Sequence, residues 1–441
     1  MKRADRSPPA RHTDCLRATV TALGSRGEGI VDSPAGPLYL PFTAPGDEVE
    51  ICWEPDAKGR MTVRSWQLLK PSSRRQEPGC PHFGRCGGCM LQHLDKQSYA
   101  DWLGERIVRA LNTQGLARFA DRIASPAVSP PGSRRRLVLH AASSGGGHGI
   151  LGLHARRSHA IIDLDECLVA RPPLWRALQS LRPLLEQLVS GEPLTITATE
   201  TATGIDILLA GPGLPDDPGL LADLAAWAEE ADIAALSWSD GGRPQRLIER
   251  REPLIVMGGI AVPFPSGAFL QATKEGEAAL QQAVREWTPE GARLLDLFAG
   301  LGTLSLPVVH KARGVVAMEG NGLAVEALRQ AVTAAGIEKA YAVNHRDLFR
   351  SPLDPKALAT FDVAILDPPR SGAKRQVGEM ARSTIPRVIL VSCNPNTWAR
   401  DTRILVDAGF EIAEIRPIAQ FLWSDAVEVA SLLIREDGAG R

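Results

Sequence analysis

Apolar and polar positions alternate from residue 13 to about 70, as in Leu16-Arg17-Ala18-Thr19-Val20 and Gly29-Ile30-Val31, with breaks at Gly24, Gly27, Gly36 and Gly46. A period of two with glycine turns predicts short strands, and their close spacing suits a small closed β-barrel over 13–72. A polar stretch, Pro71-Ser72-Ser73-Arg74-Arg75-Gln76-Glu77-Pro78, reads as a linker. A helical pattern follows around Tyr99 to Leu111. The middle of the chain mixes the two periods: Leu194 to Ala198 reads as a strand, Leu220 to Ala231 as a helix, and Ser143 to Gly147 as a loose connection. From Phe264 onward strands alternate with helices, the order of an α/β doubly wound sheet. The expected division is an arm at 1–12, the barrel at 13–72, a mixed α/β part at 73–263 and the doubly wound domain at 264–441.

Composition adds little. Fifty Lys and Arg nearly balance fifty-one Asp and Glu, so any basic surface for nucleic acid has to be local; Arg134-Arg135-Arg136 and Arg156-Arg157 are the candidates. Each also fits a plain solvated face. No apolar run approaches the roughly twenty residues that span a bilayer. The basic start, Met1-Lys2-Arg3, has no apolar region after it, so it reads as a short disordered arm and not as a secretory signal.

Chemistry concentrates where apolar strands end in polar turns, since an open α/β sheet binds ligands beyond the carboxyl ends of its strands. One strand runs through Asp296-Leu297 into Phe298-Ala299-Gly300-Leu301-Gly302-Thr303, where glycines allow backbone to approach a ligand. The next, Gly314 to Met318, ends in Glu319, whose carboxylate suits the two hydroxyls of a ribose. The pattern D-x-F-x-G-x-G has one glycine fewer than a dinucleotide fingerprint. A third strand ends in Asp367-Pro368-Pro369-Arg370, a stiff turn fit to hold a planar base. A fourth, Arg387 to Ser392, delivers Cys393 to the turn Asn394-Pro395. A cysteine on a strand is often only a small hydrophobe; here two other polar turns point to a reactive thiol.

Four of the seven cysteines form a second pattern. Cys80, Cys86 and Cys89 lie in one glycine-rich loop and Cys167 follows after a long gap. Three thiols within ten residues suit one metal centre closed by a fourth, and spacing alone leaves zinc and an iron-sulfur cluster both open. Disulfides are not expected without a secretory signal. Cys15 and Cys52, in the alternating region, read as inert core residues.

Taken together, these residues resemble the RNA uracil-C5 (5-methyluridine) methyltransferases, in the branch with an N-terminal TRAM barrel, a 4Fe-4S cluster and a class I methyltransferase domain, such as those acting on 23S ribosomal RNA. The motifs that carry it are Cys-Gly-Gly-Cys at 86–89, Asp-Pro-Pro-Arg at 367–370, Ser-Cys-Asn-Pro at 392–395 and Val427-Glu428-Val429. The resemblance implies that Cys80, Cys86, Cys89 and Cys167 hold the cluster. It places S-adenosylmethionine against Gln271, Phe298, Thr303, Glu319, Asp347 and Asp367. The family often has Asn at positions 303 and 347, and Thr273 stands where its F-x-Q-x-N ends. Cys393 would attack C6 of the base, and Glu428 would remove the C5 proton. In the family's F-P-x-T-x-H-V-E, Leu422 here replaces the proline and Ala426 the histidine. The implied partner is RNA, with 23S rRNA favoured and tRNA second, and the protein reads as a cytoplasmic monomer that does not enter a membrane. A cytosine-C5 enzyme would bring a second cysteine to the D-P-P turn, which this chain lacks. A non-catalytic RNA-binding or redox-sensing protein has no use for Cys393, Glu319 and Asp367 at successive strand ends.

Overall fold

A computed structural model describes residues 14–56, 58–144, 149–189, 191–213 and 217–435. The expected arm at 1–12 and most of the loose connection ending at Gly147 lie outside them. The chain divides into two compact units, the first with its described part at 14–84, 89–102 and 423–425, the second formed by the remainder.

In the first unit, strands Asp14–Thr19, Glu48–Pro55 and Met61–Lys70 form one sheet, and Ala22–Leu23, Gly29–Ser33 and Gly36–Leu40 another. Their inward positions, among them Val31, Leu40, Val49, Ile51 and Trp53, share one core with Val20. The stretch read as a linker is fastened to it. Buried Asp47 accepts the Ser72 amide at 2.9 Å and the Arg75 guanidinium at 2.7 Å, and Gln76 N-H reaches the His93 carbonyl at 2.9 Å. A buried carboxylate left unpaired would be costly, so Arg75 orders the residues around it.

Cys15 and Cys52 correct the expectation of inert core residues without disulfides. They lie opposite each other in the antiparallel register, with Cα atoms 4.1 Å apart, and form a disulfide. The core face of the second strand belongs to Val49, Ile51 and Trp53, so Cys52 points the other way and meets an exposed Cys15.

Among its described residues the second unit contains two large sheets besides the paired strands Leu254–Met257 and Ile260–Pro263. The first runs in the order Ile161–Asp163, Gly149–His154, Arg136–Ser143, Leu194–Glu200, Ile205–Ala210, Ile233–Ser239 and Gln245–Glu249. Leu137, Leu139, Ile196, Ile207 and Leu236 pack on helices Pro172–Ser180 and Pro218–Glu230 through Leu174, Leu178, Leu224 and Trp227.

The other is the doubly wound sheet. Its strands are β1 (Arg293–Leu297), β2 (Gly314–Glu319), β3 (Tyr341–His345), β4 (Val363–Leu366), β5 (Arg387–Ser392), β6 (Phe410–Ala419) and β7 (Glu428–Arg435). They follow the order 3-2-1-4-5-7-6, and the short strand Ala127–Val128 adds to β6. β1 to β5 are parallel, while β7 is antiparallel to both neighbours. Helices α1 (Lys274–Trp287), α2 (Gly322–Ala334), α3 (Lys374–Arg382) and α4 (Pro395–Asp407) belong to the same domain. Continuous apolar runs such as Val363 to Leu366 are buried throughout, as strands covered on both faces require. Each such side chain contributes roughly 1.5–3 kcal/mol by leaving water. The fold class is therefore α/β, with a Rossmann-like doubly wound domain, an N-terminal β-domain and a mixed central part.

Because the disulfide closes a separation of 37 residues, Cys15→Ser should lower stability by about 2–4 kcal/mol under oxidising conditions. Unreduced, denatured protein should leave Cys15 and Cys52 unalkylated by iodoacetamide until a reductant is added; labelling of both beforehand would refute the bond.

Candidate active site

The carboxyl ends of β1 and β2 make one half of the site. Phe298 takes a left-handed φ of 62°, and Gly300 and Gly302 follow at 55° and 77°. A non-glycine residue there is strained, and the turn is held by Ala299 N-H to the Met318 carbonyl at 3.1 Å and Gly302 N-H to the Ala299 carbonyl at 2.8 Å. A Cβ on Gly302 would come within 2.9 Å of Leu306 and Leu328, whereas one on Gly300 would meet nothing within 4 Å. The second glycine is required by packing and the first leaves open space above the turn. Glu319 accepts Gly300 N-H at 2.8 Å on one oxygen and Asn321 N-H at 2.6 Å on the other. Each oxygen keeps a further lone pair, so the carboxylate is oriented yet able to accept hydroxyls.

Beneath the turn, Asp296 is buried and accepts the hydroxyl of Ser305, which also bonds the Tyr341 hydroxyl at 2.6 Å. Burial pushes its carboxyl up to about 7 against the Ser305 bond, with the charges of Asp367 and Glu319 adding to the rise. Asp347 is exposed and caps its own turn, accepting Phe349 N-H at 3.0 Å and Arg350 N-H at 3.2 Å. The Phe349 ring lies 5.3 Å from that of Phe298. Thr303 is half-buried, and its carbonyl accepts Gln281 Nε2 at 3.1 Å. Thr273 is the N-cap of α1, accepting Gly276 N-H at 3.0 Å.

The ends of β4, β5 and β7 make the other half. The Arg370 carbonyl of the D-P-P-R turn accepts Asn394 Nδ2 at 3.3 Å and the Thr397 hydroxyl at 3.2 Å, tying that turn to the one bearing Cys393. Asn394 also caps α4 through Asn396 N-H. Ser392 pairs with Val429 across β5 and β7, so Cys393 and Glu428 are the next residues at the same end of two antiparallel neighbours. Cys393 is half-buried, and Glu428 is only 4% exposed.

Amides link the carboxylates. Gln271 Nε2 donates to Asp367 at 3.3 Å, Gln420 Nε2 donates to Gln271 Oε1 at 2.6 Å, and Gln420 also hydrogen-bonds Glu428. Arg135, buried in an ion pair with Glu277, donates its Nε to the Gln271 carbonyl at 3.1 Å. Burial pushes Asp367 up to about 7 against the Gln271 bond. Burial, then the charge of Asp367, pushes Glu428 up to about 8 against the Gln420 bond. The Cys393 thiol is pushed up by burial and by the charges of Glu428 and Asp367, while Arg370 pulls it down. Among the described residues, Oε2 of Glu428 has no hydrogen-bond partner. A buried oxygen with no donor is an acceptor held ready.

Asp296 and Gln420 are not among the sequence candidates for the site, and Arg135 is there only as part of a basic surface run. Asp296 stands inside the D-x-F-x-G-x-G pattern and was legible there. Gln420 and Arg135 carry no local signal, because their partners lie 149 and 136 residues away.

Cys80 and Cys89 belong to the first unit and Cys86 and Cys167 to the second, and all four are half-buried. Gly87 N-H bonds the His154 carbonyl at 3.0 Å, and Cys86 bridges Ala155. Among the described residues no group of three His, Cys, Asp or Glu side chains is gathered as a metal site.

The doubly wound sheet, with its glycine turn and Glu319 oriented at the carboxyl rim, resembles the fold of the class I methyltransferases. A family model described as tRNA (Uracil-5-)-methyltransferase matches residues 260–436, and one for the TRAM domain of tRNA (uracil(54)-C(5))-methyltransferase matches residues 16–73. An uncharacterized RNA methyltransferase of Mesorhizobium japonicum is 39% identical over 95% of this chain and 97% of its own length. The 23S rRNA (uracil(1939)-C(5))-methyltransferase RlmD of Pectobacterium carotovorum subsp. carotovorum is 28% identical over 96% of this chain and 94% of its own. The Pyrococcus abyssi tRNA (uracil-54, C5)-methyltransferase, crystallised with S-adenosyl-L-homocysteine, shares the fold with a TM-score of 0.72 at 22% identity, covering 95% of this chain and all of that one. The chain belongs to the RNA uracil-5-methyltransferase family and is an S-adenosylmethionine-dependent enzyme. Among the described residues no helix is long and apolar enough to cross a membrane.

Asp296, raised from 3.8 to about 7, keeps a proton that the unfolded chain releases. Its burial therefore costs nothing below the lower value and costs progressively more as pH rises through that window. Asp296→Asn should flatten the fall in urea-unfolding stability there by up to about 1.4 kcal/mol per pH unit. An unchanged slope would mean that the carboxyl titrates normally.

Proposed function

We propose that the protein methylates C5 of a uracil in RNA through a covalent bond between Cys393 and C6, with Glu428 as the base that completes the reaction. The observation that carries this reading is Cys393 beside a buried Glu428 whose Oε2 is bare, at one end of two paired strands. S-adenosylmethionine supplies an electrophilic methyl group. The residues fit it: Phe298 beside the open turn at Gly300, the oriented Glu319, and Asp367 held by Gln271, with Thr303 in the turn after β1 and Asp347 just beyond β3.

Uracil C5 is a weak nucleophile. The Cys393 thiolate adds to C6, and the C5–C6 electron pair moves into an enolate on O4. C5 then forms a bond to the methyl carbon as the bond from that carbon to the sulfonium sulfur breaks, and the electron pair leaves with the sulfur of S-adenosylhomocysteine. Oε2 of Glu428 takes the C5 proton, and the released pair rebuilds the C5–C6 double bond and expels the thiolate. Both groups work as anions; Glu428 is pushed up to about 8 and the Cys393 thiol is pushed up as well, so turnover should climb as pH rises through about 8. The base has to leave its stack to reach the thiol, which favours a loop or locally unfolded RNA. The TRAM domain supports the reading by offering a further RNA-binding surface. Similarity along the whole chain to a 23S rRNA enzyme favours large-subunit ribosomal RNA, with tRNA second. The same reading has the protein act as a monomer in the cytoplasm, where that RNA is made.

RNA containing 5-fluorouridine should form a stable adduct with the protein, because fluorine does not leave as a proton does. Cys393→Ala should abolish that adduct. Glu428→Gln should accumulate a methylated adduct on normal RNA and turn over about a hundredfold more slowly. Trapping by the Cys393→Ala protein would sink the assignment, and mass spectrometry of nucleosides from a deletion strain would locate the missing methyl group.

We also infer that Cys80, Cys86, Cys89 and Cys167 bind an iron-sulfur cluster outside the methyl-transfer chemistry. Support comes from three cysteines within one ten-residue loop. Anaerobically purified protein should be coloured and carry iron in excess of zinc. Stoichiometric zinc in colourless protein would overturn the inference.

A further inference from the structure

We infer that Gln420 is the positioning residue of the reaction: its one side-chain amide sets both the orientation of Glu428 and that of Gln271 against Asp367. Its role in the proton-removal step rests on the reading of Glu428 as the base.

The amide has only one way to face. Ala272 N-H can only donate, and it donates to Gln420 Oε1 at 2.7 Å. Nε2 is therefore turned toward Gln271 Oε1, 2.6 Å away, and toward Glu428. With its own Oε1 taken, Gln271 directs Nε2 at Asp367. A backbone N-H thus fixes two side-chain amides in series without any flip being free. Gln420 is 1% exposed, and α1 closes over it: a Cβ on Gly276 would lie 2.7 Å from the Gln420 Cβ. Thr273, capping α1, holds that first turn in place.

The chemistry explains why an amide suits this position. Glu428 has to be an anion when it takes the C5 proton, although it is buried beside Asp367. The groups around the network are Asp367, the Cys393 thiol with Arg370 beyond it, and the Arg135–Glu277 ion pair under Gln271. Arg135 and Glu277 are already spent on each other. The Gln420 N-H is a donor to Glu428 without being a cation, so it favours the carboxylate without neutralising the base. It occupies one oxygen, and Oε2 is left for the proton.

The test compares Gln420→Met, which keeps the volume and removes the donor, with wild type and with Glu428→Gln in single-turnover reactions across pH. Gln420→Met should form the Cys393 adduct at a near-normal rate and break it down about tenfold more slowly. The pH midpoint of breakdown should rise by about one unit, the size of one lost hydrogen bond to a charged group. KM for S-adenosylmethionine should rise several-fold as Gln271 loses its orientation. Gln420→Asn, an amide too short to span the same partners, should behave alike if the methionine variant folds poorly. Carbon-13 NMR of labelled glutamate carboxyls, with Glu428 assigned by its loss in Glu428→Gln, should show a higher Glu428 midpoint in either variant. A midpoint unmoved in both variants overturns the inference. Unchanged adduct breakdown in the Gln420 variants, alongside adduct accumulation in Glu428→Gln, also overturns it and leaves the base reading intact. Absence of accumulation in Glu428→Gln brings down the base reading, and with it the role given to Gln420.

Discussion

Burying carboxylates near one another is the constraint on which the site depends. Asp296, Asp367 and Glu428 all lie at or under the strand ends of one sheet, and burial raises each of them. In bulk water such groups would be unremarkable anions. Inside the protein each needs a donor, and the donors are neutral: Ser305 for Asp296, Gln271 for Asp367 and Gln420 for Glu428. Neutral donors hold the three carboxyl groups in place without adding a positive charge that a sulfonium ligand would meet.

The sheet supplies the geometry. β1 to β5 are parallel, so their carboxyl ends form one rim, and turns carrying glycine, proline or asparagine project from it. β7 enters antiparallel, which brings the start of that strand to the rim where the others end. Glu428 opens β7 and Cys393 follows β5, and only a reversed strand lets residues 35 positions apart in sequence become neighbours in this way. The D-P-P-R and S-C-N-P turns then brace each other through Asn394 and Thr397 on the Arg370 carbonyl. The thiol is held by hydrogen bonds between turns as well as by its strand.

The central part of the chain also reaches the site. Arg135 leads into the strand Arg136–Ser143, yet its side chain is buried with Glu277 and bonds the Gln271 carbonyl. An Arg-Arg-Arg run thus splits into different roles. Arg134 stacks over the Phe421 ring at 4.9 Å, and Arg135 is an internal strut. Reading all three as one basic surface patch does not survive the fold.

By itself the sequence determined the strands, their polar ends and the chemistry of each turn. Continuous apolar runs such as Val363 to Leu366 have no stable place except a covered parallel sheet, and the residues that stop them are local and visible. The thiol of Cys393, the carboxylate of Glu319 and the glycines at 300 and 302 could be read in this way. The tertiary structure decided which of these groups face each other. It chose the pairing of β7 with β5, the amide chain through Gln420 and the disulfide between Cys15 and Cys52. It also decided that Asp47 would fasten a stretch that reads as a linker. The physical reason is range: periodicity and turn chemistry act over a few residues, whereas a buried polar group is satisfied by whatever donor the fold brings within about 3 Å, however far away in sequence.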